Sequence, residues 1–300
     1  MSVPMLCRSL PIAVAAGFLV ASLAEAGTPI DKRAPADPAG QVEISNVAGK
    51  VTVTGWDRSE VAVTGELGEG SERLEFASAD KLTRIKVVLP NRSWGVEDTD
   101  LIVKVPSGSS ISVNTVSADI EVHAVTGAQR LQSVSANVTT ESGAEDVECK
   151  TVSGDVKVAG NGQKGMLTLT TVSGDAVVTR VAGEVNGSTV SGNFTLGLGE
   201  VTRSRLRLTS GDLAVAAFLP ADGRLDVESI SGDVRLDFAP PINAEFDVSS
   251  FSGDISNCFG PKPARTDEYA PGKELRFTEG KASGRVRVKT LSGDVNVCKL

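Results

Sequence analysis

The chain has 300 residues, of which 40% are hydrophobic and 4% aromatic, and it carries a net charge of −8. Proteins that bind nucleic acid cluster Lys and Arg against the phosphates, so this acidic composition argues against a nucleic-acid partner. No cofactor is expected, because the sequence has no phosphate-binding loop, no zinc-type Cys/His spacing and no nucleophile elbow.

The first 26 residues have the form of a secretory signal peptide. Arg8 precedes an apolar run from Leu10 to Leu23, and Ala24-Glu25-Ala26 supplies the small residues of a cleavage site. A retained membrane anchor is the weaker alternative, because the run is shorter than the roughly 20 apolar residues of a spanning helix. No later stretch of the sequence is apolar enough to span a membrane. We therefore expect an exported protein, periplasmic or extracellular, that begins at Gly27 when mature.

Residues 27–40 are predicted to form a linker, because prolines at positions 29, 35 and 38 interrupt any regular element. Residues 41–300 are predicted to form one β-solenoid domain. Its first part should cap the stack, because an open terminal coil exposes unpaired backbone groups. Strands of irregular spacing are predicted there at Gln41–Asn46, Lys50–Gly55, Glu60–Gly65, Arg73–Phe76, Arg84–Leu89 and Leu101–Val105.

From residue 117 onward a short motif, Ser-Gly-Asp or a close variant, recurs nine times. Successive copies lie 18, 18, 20, 18, 19, 21, 21 and 40 residues apart, a step typical of a solenoid of stacked coils. The copies are Ser117-Ala118-Asp119, Ser135-Ala136-Asn137, Ser153-Gly154-Asp155, Ser173-Gly174-Asp175, Ser191-Gly192-Asn193, Ser210-Gly211-Asp212, Ser231-Gly232-Asp233, Ser252-Gly253-Asp254 and Ser292-Gly293-Asp294.

Each repeat predicts one coil with two short strands. Apolar residues lie six and four positions before the motif Ser, as Ile111 and Val113 do. A second apolar set lies one before and three and five after it, with the opposite parity, as in Val116, Ile120 and Val122. Because period-2 patterning changes phase only at a corner or bulge, the chain should bend just ahead of the Ser. The fold class is therefore all-β, a single-chain parallel β-solenoid of about 9–11 coils, right-handed by analogy with the crossover rule.

The motif residues are predicted to build a structural turn. The central Gly or Ala faces a narrow interior, so its small size is a packing requirement rather than a sign of left-handed backbone. The Asp or Asn faces outward and can accept hydrogen bonds from backbone N–H groups of the turn. A calcium site along the file of carboxylates is the alternative, although Ca²⁺ takes 6–8 oxygen ligands and calcium solenoids use a denser nine-residue repeat.

Cys258 and Cys298 lie at the same phase of the coil, six positions after a motif Ser. If residues 259–281 loop out, the two Cα atoms are about 4.8 Å apart in neighbouring coils, within the range of a disulfide, and export supplies oxidising conditions. We predict this disulfide. Cys149, at a core position four before a motif Ser, is predicted to be a buried unpaired thiol. The inserted residues 259–281 are expected to cover the end of the last coil or lie beside it.

The remaining candidate side chains have structural explanations. His123 is the sole histidine and is expected at the surface without a metal. Trp56 is expected to pack in the N-terminal cap rather than bind sugar, and Trp94 and Tyr269 are isolated in the sequence. We therefore expect no catalytic residue, no metal-binding residue and no enzymatic activity.

The segments Ile44–Asp57 and Val103–Pro106, followed by repeated Thr-Val-Ser-Gly-Asp-Val strings, resemble the bacterial putative-adhesin β-strand-repeat family, a domain-of-unknown-function family. The likeness covers about residues 41–300. Because the scaffold is regular and carries no reactive cluster, we predict a non-catalytic, adhesion-like binding or structural module in the cell envelope, with an envelope protein or glycan as its partner. A polysaccharide-acting enzyme on a β-helix scaffold, by analogy of fold, and an accessory to envelope-stress signalling stay open as alternatives.

Overall fold

A computed structural model describes residues 27–90, 97–267 and 271–300. This part of the chain contains strands and no helix, and the strands join into one hydrogen-bonded assembly. These residues accordingly contain no helix that could span a membrane. The predicted signal peptide, residues 1–26, lies outside the described residues, as do Trp94 and Tyr269.

The strands fall into three groups along the chain. The first group is β1 (Thr28–Pro35), β2 (Gln41–Trp56), β3 (Glu60–Leu67), β4 (Arg73–Ala79), β5 (Leu82–Val88), β6 (Thr99–Pro106) and β7 (Ser110–His123). The second is β8 (Gln129–Gln132), β9 (Val138–Ser142), β10 (Val147–Lys150), β11 (Val156–Gly160), β12 (Lys164–Thr171), β13 (Ala176–Thr189), β14 (Phe194–Ser210), β15 (Leu213–Phe218), β16 (Arg224–Ser231) and β17 (Val234–Phe238). The third is β18 (Ala244–Ser252), β19 (Ile255–Asn257), β20 (Ala264–Arg265), β21 (Lys273–Glu279), β22 (Gly284–Ser292) and β23 (Val295–Lys299).

Successive coils stack through parallel strands whose repeats are in register. The two halves of β7 pair with β8 and β9, these pair with β10 and β11, and the pattern continues to β16 and β17. The predicted parallel β-solenoid is confirmed, whereas its handedness stays a prediction. The apolar residues of both strands of every coil meet in one continuous core, where Val113, Ile120 and Val122 have no exposed surface.

The residue before each motif Ser points outward, so its predicted inward orientation is wrong. Val116 is 47% exposed and Val152 is 46% exposed. The residue two before the Ser is buried instead, as Thr115 is, and the central motif residue is buried in the first five copies, as Ala118 is, and half-buried in the last four. The inward–outward alternation of side chains therefore shifts by one residue at the corner, because the Ser and the residue before it both point outward.

The predicted linker is also wrong over most of its length. Thr28–Pro35 form β1, which pairs antiparallel with β3 from Thr28 opposite Leu67 to Pro35 opposite Glu60. This strand has no partner on its other side among the described residues. An edge strand tolerates proline because one of its sides makes no ladder hydrogen bonds, which explains why Pro29 and Pro35 do not prevent pairing.

The predicted N-terminal cap is present, and the first coil lies inside the stack rather than at its end. Strand β2 pairs in parallel with β7 on one side and with β5 and β6 on the other. Strands β3 and β4 then pair antiparallel with β6 and β5. The parallel ladder thus ends in antiparallel strands, so the edge of the first coils is not left open.

The C-terminal end has the same arrangement, which the sequence did not reveal. The last coil of the chain, β22 and β23, is inserted between β16–β17 and β18–β19. The expectation that the chain's last coil ends the rod is therefore wrong. The physical end is the coil of β18 and β19, and β21 from the predicted insertion pairs antiparallel with β18 and covers it.

Aromatic packing fixes this C-terminal cap. Phe277 of β21 stacks on Phe246 of β18 with ring centroids 4.5 Å apart, and Phe259 lies 5.1 Å from Phe277. Lys273 of the same strand forms an ion pair with Asp254. The cap therefore covers backbone groups, apolar rings and a carboxylate of the terminal coil together.

Replacing residues 261–280 with a short Gly–Ser linker should make the chain self-associate, because the outer edge of β18 would lose its antiparallel partner. Size-exclusion chromatography with light scattering would detect the larger species. The Arg276→Ser variant keeps β21 and changes only an exposed side chain, so it serves as the control. Identical elution of both variants and the wild type at every concentration would contradict the capping role.

The predicted disulfide joins Cys258 and Cys298, whose Cα atoms lie 4.8 Å apart. The two residues meet because β19 and β23 pair in register up to Asn257 opposite Val297. Cys149 is a free, fully buried thiol. Its pKa is raised to about 12, mainly by burial and to a smaller extent by the nearby charge of Glu148. The sequence-based assignment of all three cysteines agrees with the structure.

The Cys298→Ser variant should lower the free energy of unfolding by about 3–4 kcal/mol, the chain-entropy value for a loop of this length. The closed loop spans a sequence separation of 40 residues. Denaturant titration with and without a reductant would measure the loss, and reductant should not change the variant further. Cys149→Val is the matched control, because Val occupies the equivalent core position at Val113 and should change stability by less than about 1.5 kcal/mol. Equal loss in both variants would rule out a stabilising bond.

Candidate functional site

The nine motifs lie above one another along one edge of the solenoid, which we call the motif corner. Every Asp or Asn of the motif except Asp254, the last in the stack, accepts a hydrogen bond from the backbone N–H of the equivalent residue in the next coil, so the bond runs between coils and not within the predicted turn. The N···Oδ1 distances are 2.8–3.0 Å. In stack order the ladder runs Asp119, Asn137, Asp155, Asp175, Asn193, Asp212, Asp233, Asp294 and Asp254.

A lysine stands at each end of this ladder. Lys50 of β2 lies directly beside Asp119 in the register of β2 and β7, and Lys273 pairs with Asp254 at the other end. The Nζ atom of Lys50 is 2.8 Å from a carboxylate oxygen of Glu121, and this hydrogen bond raises the pKa of Lys50. Stacked carboxylates about 4.8 Å apart repel one another, so a cation at either end offsets part of that repulsion.

Hydroxyl groups make further hydrogen bonds at the corner. Several motif Ser hydroxyls donate to the carbonyl of the residue before the Ser in the preceding coil, as Ser173 Oγ does to Val152 at 3.2 Å. In four coils a buried Thr or Ser two before the motif Ser accepts from the central N–H, and Thr171 Oγ1 lies 2.9 Å from the N of Gly174. Sequence reasoning missed this buried hydroxyl, although the repeated Thr-Val-Ser-Gly-Asp string contained the signal.

The central motif residue is small because the neighbouring coil leaves no room for a side chain. A Cβ atom on Gly174 would lie 1.9 Å from the carbonyl oxygen of Gly154. The obstacle is thus backbone of the next coil and not the narrow interior that we expected. The later copies Gly211, Gly232 and Gly293 also have φ of 126°, 115° and 134°, so the expectation that no left-handed backbone occurs is wrong there.

Gly174→Ala should lower the free energy of unfolding by about 1–3 kcal/mol, since the added methyl group overpacks the contact with Gly154. Gly143→Ala is the control, because the nearest atom to its Cβ would be 3.6 Å away. Asp175→Ala should cost about 1 kcal/mol through the lost acceptor, whereas Asp175→Asn keeps an acceptor and should cost less. Denaturant titration measures all four variants. Equal stability of the two Gly→Ala variants would disprove the contact.

The ladder does not assemble a metal site in the described residues, where no group of three or more His, Cys, Asp or Glu side chains is placed to hold an ion. The carboxylates lie along a line instead of around a point, and one oxygen of each already accepts a backbone N–H, except at Asp254, which pairs with Lys273. His123 Nδ1 lies 3.3 Å from Glu141 Oε1 at the surface. The pKa of Glu141 is lowered mainly by the hydrogen bond from the backbone N–H of Ala124, and further by the contact with His123.

Trp56 lies in the N-terminal cap. Its Nε1–H donates to the carbonyl of Glu60 at 2.9 Å, and the cationic groups of Arg58 and Lys104 lie 5.1 and 5.7 Å from its ring. The ring therefore makes its polar and cation–π contacts within the fold.

The residues before the motif Ser form an exposed row along the whole corner, which we call the corner ridge. Their backbones are aligned by the same parallel pairing that aligns the motifs, so apolar side chains follow one another without a break except at a threonine. In stack order the ridge is Val116, Val134, Val152, Val172, Val190, Thr209, Ile230, Leu291 and Phe251. A contiguous exposed apolar row of this kind is typical of a protein interaction site.

The ridge is most apolar at its C-terminal end. Ile230, Leu291 and Phe251 are 52%, 53% and 57% exposed and lie on three neighbouring coils. Beside Val172, Val190 and Ile230 the surface forms an open depression of about 440 Å³. The sequence pattern placed these residues in the core, so this surface became visible only in the structure.

Fold and corner together define a protein class, a capped parallel β-solenoid with repeated Ser-Gly-Asp corners. The chain matches the family described as Toastrack DUF4097 over residues 39–298. It therefore belongs to this family, and the resemblance stated from the sequence is confirmed.

Solved structures that are similar to this chain include two from Parabacteroides species. A putative lipid binding protein from Parabacteroides distasonis is 12% identical, with a TM-score of 0.52 over 90% of this chain and 97% of that chain. A putative adhesin from Parabacteroides merdae is 12% identical, with a TM-score of 0.48 over 90% and 96% of the two chains. At this identity the first likeness shows the fold alone. No curated protein matches the chain.

Proposed function

We propose that the chain is an exported, non-catalytic binding module of the cell envelope whose partner is an envelope protein or glycan. The observation that supports this proposal is the corner ridge, a long row of exposed apolar side chains on a rigid scaffold. Because the coils are hydrogen-bonded to one another along the entire stack, the ridge is held in its final shape before any partner arrives. A preformed surface loses less conformational entropy on binding than a flexible one.

The polar groups of the corner support a binding role over catalysis. A catalytic pair of carboxylates needs two groups with different environments, one held protonated and one ionised. Here the motif carboxylates repeat the same backbone contact from coil to coil, and the exception, Asp254, is held by an ion pair with Lys273. The repetition instead offers many equivalent contacts to an elongated partner.

Export is supported by the predicted signal peptide and by the Cys258–Cys298 disulfide, since disulfides persist in oxidising compartments. The adhesin and lipid-binding descriptions of the solved structures belong to those proteins. They agree with a binding role in general terms, and the partner class proposed for this chain is a protein or glycan.

A photo-crosslinking amino acid at position 172, on the ridge, should capture a specific envelope component when the chain is expressed with its leader in its own cells. The same group at position 177 is the control, because Val177 is also 41% exposed but lies on a different face, four after a motif Ser.

Mass spectrometry of the crosslinked protein should show a mature chain that begins at Gly27.

Changing Val152 and Val190 to Thr, with the crosslinking group kept at position 172, should abolish this capture without unfolding the chain, because Thr209 already occupies a ridge position. Capture that is equal at positions 172 and 177 would refute the ridge as the binding surface. Retention of residues 1–26 in a cytoplasmic chain would refute export. Turnover of an envelope polysaccharide that one Asp substitution abolishes would refute the non-catalytic role.

A further inference from the structure

The C-terminal half of the corner carries two parallel rows of opposite character. The ridge residues Ile230, Leu291 and Phe251 form an exposed apolar row on three neighbouring coils. Three positions further along each coil lies the ladder, which in this half is an unbroken run of carboxylates at Asp212, Asp233, Asp294 and Asp254. Nearer the N-terminus, Asn137 and Asn193 interrupt the charge.

Three of these four carboxylates have no cationic partner. Asp254 pairs with Lys273 of the cap, whereas no ion pair reaches Asp212, Asp233 or Asp294 within the described part of the chain. Each of the three uses one oxygen as the acceptor for a backbone N–H, which leaves the second oxygen open to solvent. Negative charge therefore lines one side of the apolar row.

The other side of the row has no comparable excess of charge. The residues three before each motif Ser are Arg207, Glu228, Lys289 and Ser249 in stack order. Arg207 and Glu228 form an ion pair with an Nε–Oε2 distance of 3.2 Å. A partner that complements this half of the corner thus needs an apolar strip with positive charge along one side of it.

The spacing of the coils selects the form of that partner. Four coils at about 4.8 Å per step extend over about 14 Å. Three turns of an α-helix rise about 16 Å, so side chains one turn apart on a helix have almost the same spacing as residues on neighbouring coils. Side chains on one face of an extended strand repeat at about 6.8 Å and lose register within three coils.

We propose that this half of the corner binds a basic amphipathic α-helix of a partner protein, which deepens the binding function proposed above and rests on it. The apolar face of the helix packs along Ile230, Leu291 and Phe251, and Lys or Arg side chains on its adjacent face pair with Asp212, Asp233 and Asp294. A second copy of the chain offers strands and no helix in the described residues. An anionic bilayer would meet the carboxylate row with like charge.

The probe is a synthetic amphipathic helix of Leu and Lys, about four turns long, and its binding to the purified oxidised chain is measured by fluorescence anisotropy. A matched peptide with Glu in place of Lys is the charge control, and a sequence-scrambled Leu/Lys peptide is the control for amphipathicity. We expect binding of the first peptide alone, weakening as salt is added because exposed ion pairs are screened.

Two triple variants test the two rows separately. The variant of the apolar row should weaken binding by about tenfold or more, since central apolar contacts dominate binding energy. It combines Ile230→Thr, Leu291→Thr and Phe251→Thr. Asp212→Asn with Asp233→Asn and Asp294→Asn should weaken it by about fivefold or more and flatten the salt dependence. The introduced residue types fit these positions, because Thr209 already lies on the ridge and Asn137 and Asn193 already lie on the ladder. Val116→Thr with Val134→Thr at the far end should leave the affinity unchanged.

Equal binding of the Lys and Glu peptides, or wild-type affinity in either triple variant, would overturn the proposal. Dimers that form with rising concentration and disappear in the Thr variant would assign the surface to a second copy. Binding of the chain to anionic vesicles that requires the same three apolar residues would assign it to a membrane. Specific crosslinking at position 172 without peptide binding would defeat this inference and leave the proposed function standing.

Discussion

The in-register stacking of backbone on backbone at the motif corner is the constraint on which the rest of this protein depends. Carbonyl groups of one coil approach the central motif residue of the next so closely that only Gly fits in seven of the nine motifs, while Ala occupies the first two. The same register places each Asp or Asn side chain within hydrogen-bond distance of the N–H in the next coil. It also aligns the buried apolar residues into one core and the exposed ones into one ridge. A single geometric condition therefore produces the fold, its stability and its surface.

A parallel stack has two open edges, and this chain closes both by the same device. A terminal coil of the sequence is inserted one place inward, and antiparallel strands from a neighbouring segment cover the coil that remains outside. At the C-terminal end the inserted coil is further held by the disulfide to the coil beside it. This arrangement protects the edges against pairing with another chain.

Protected edges leave the lateral surfaces as the places where the molecule can bind. Many cations and anions on those surfaces lie near a partner of opposite charge, as Arg207 and Glu228 do across neighbouring coils. The corner departs from this balance, because its ridge is apolar and the ladder beside it is acidic over four successive coils. The binding function proposed here follows from that imbalance. A rigid scaffold maintains it because the surrounding strands fix both rows.

The sequence by itself determined the repeat, the parallel coils, the buried thiol of Cys149 and the pairing of Cys258 with Cys298, because each depends on position within one coil or on equivalent positions in two. It did not determine the strand at Thr28–Pro35 or the outward direction of the ridge. Nor did it determine which coil lies at the C-terminal end of the stack. Those features depend on which strand edge is available for pairing and on where the backbone bends at a corner. The periodicity of the sequence predicts neither, because strand pairing and corner geometry depend on tertiary contacts.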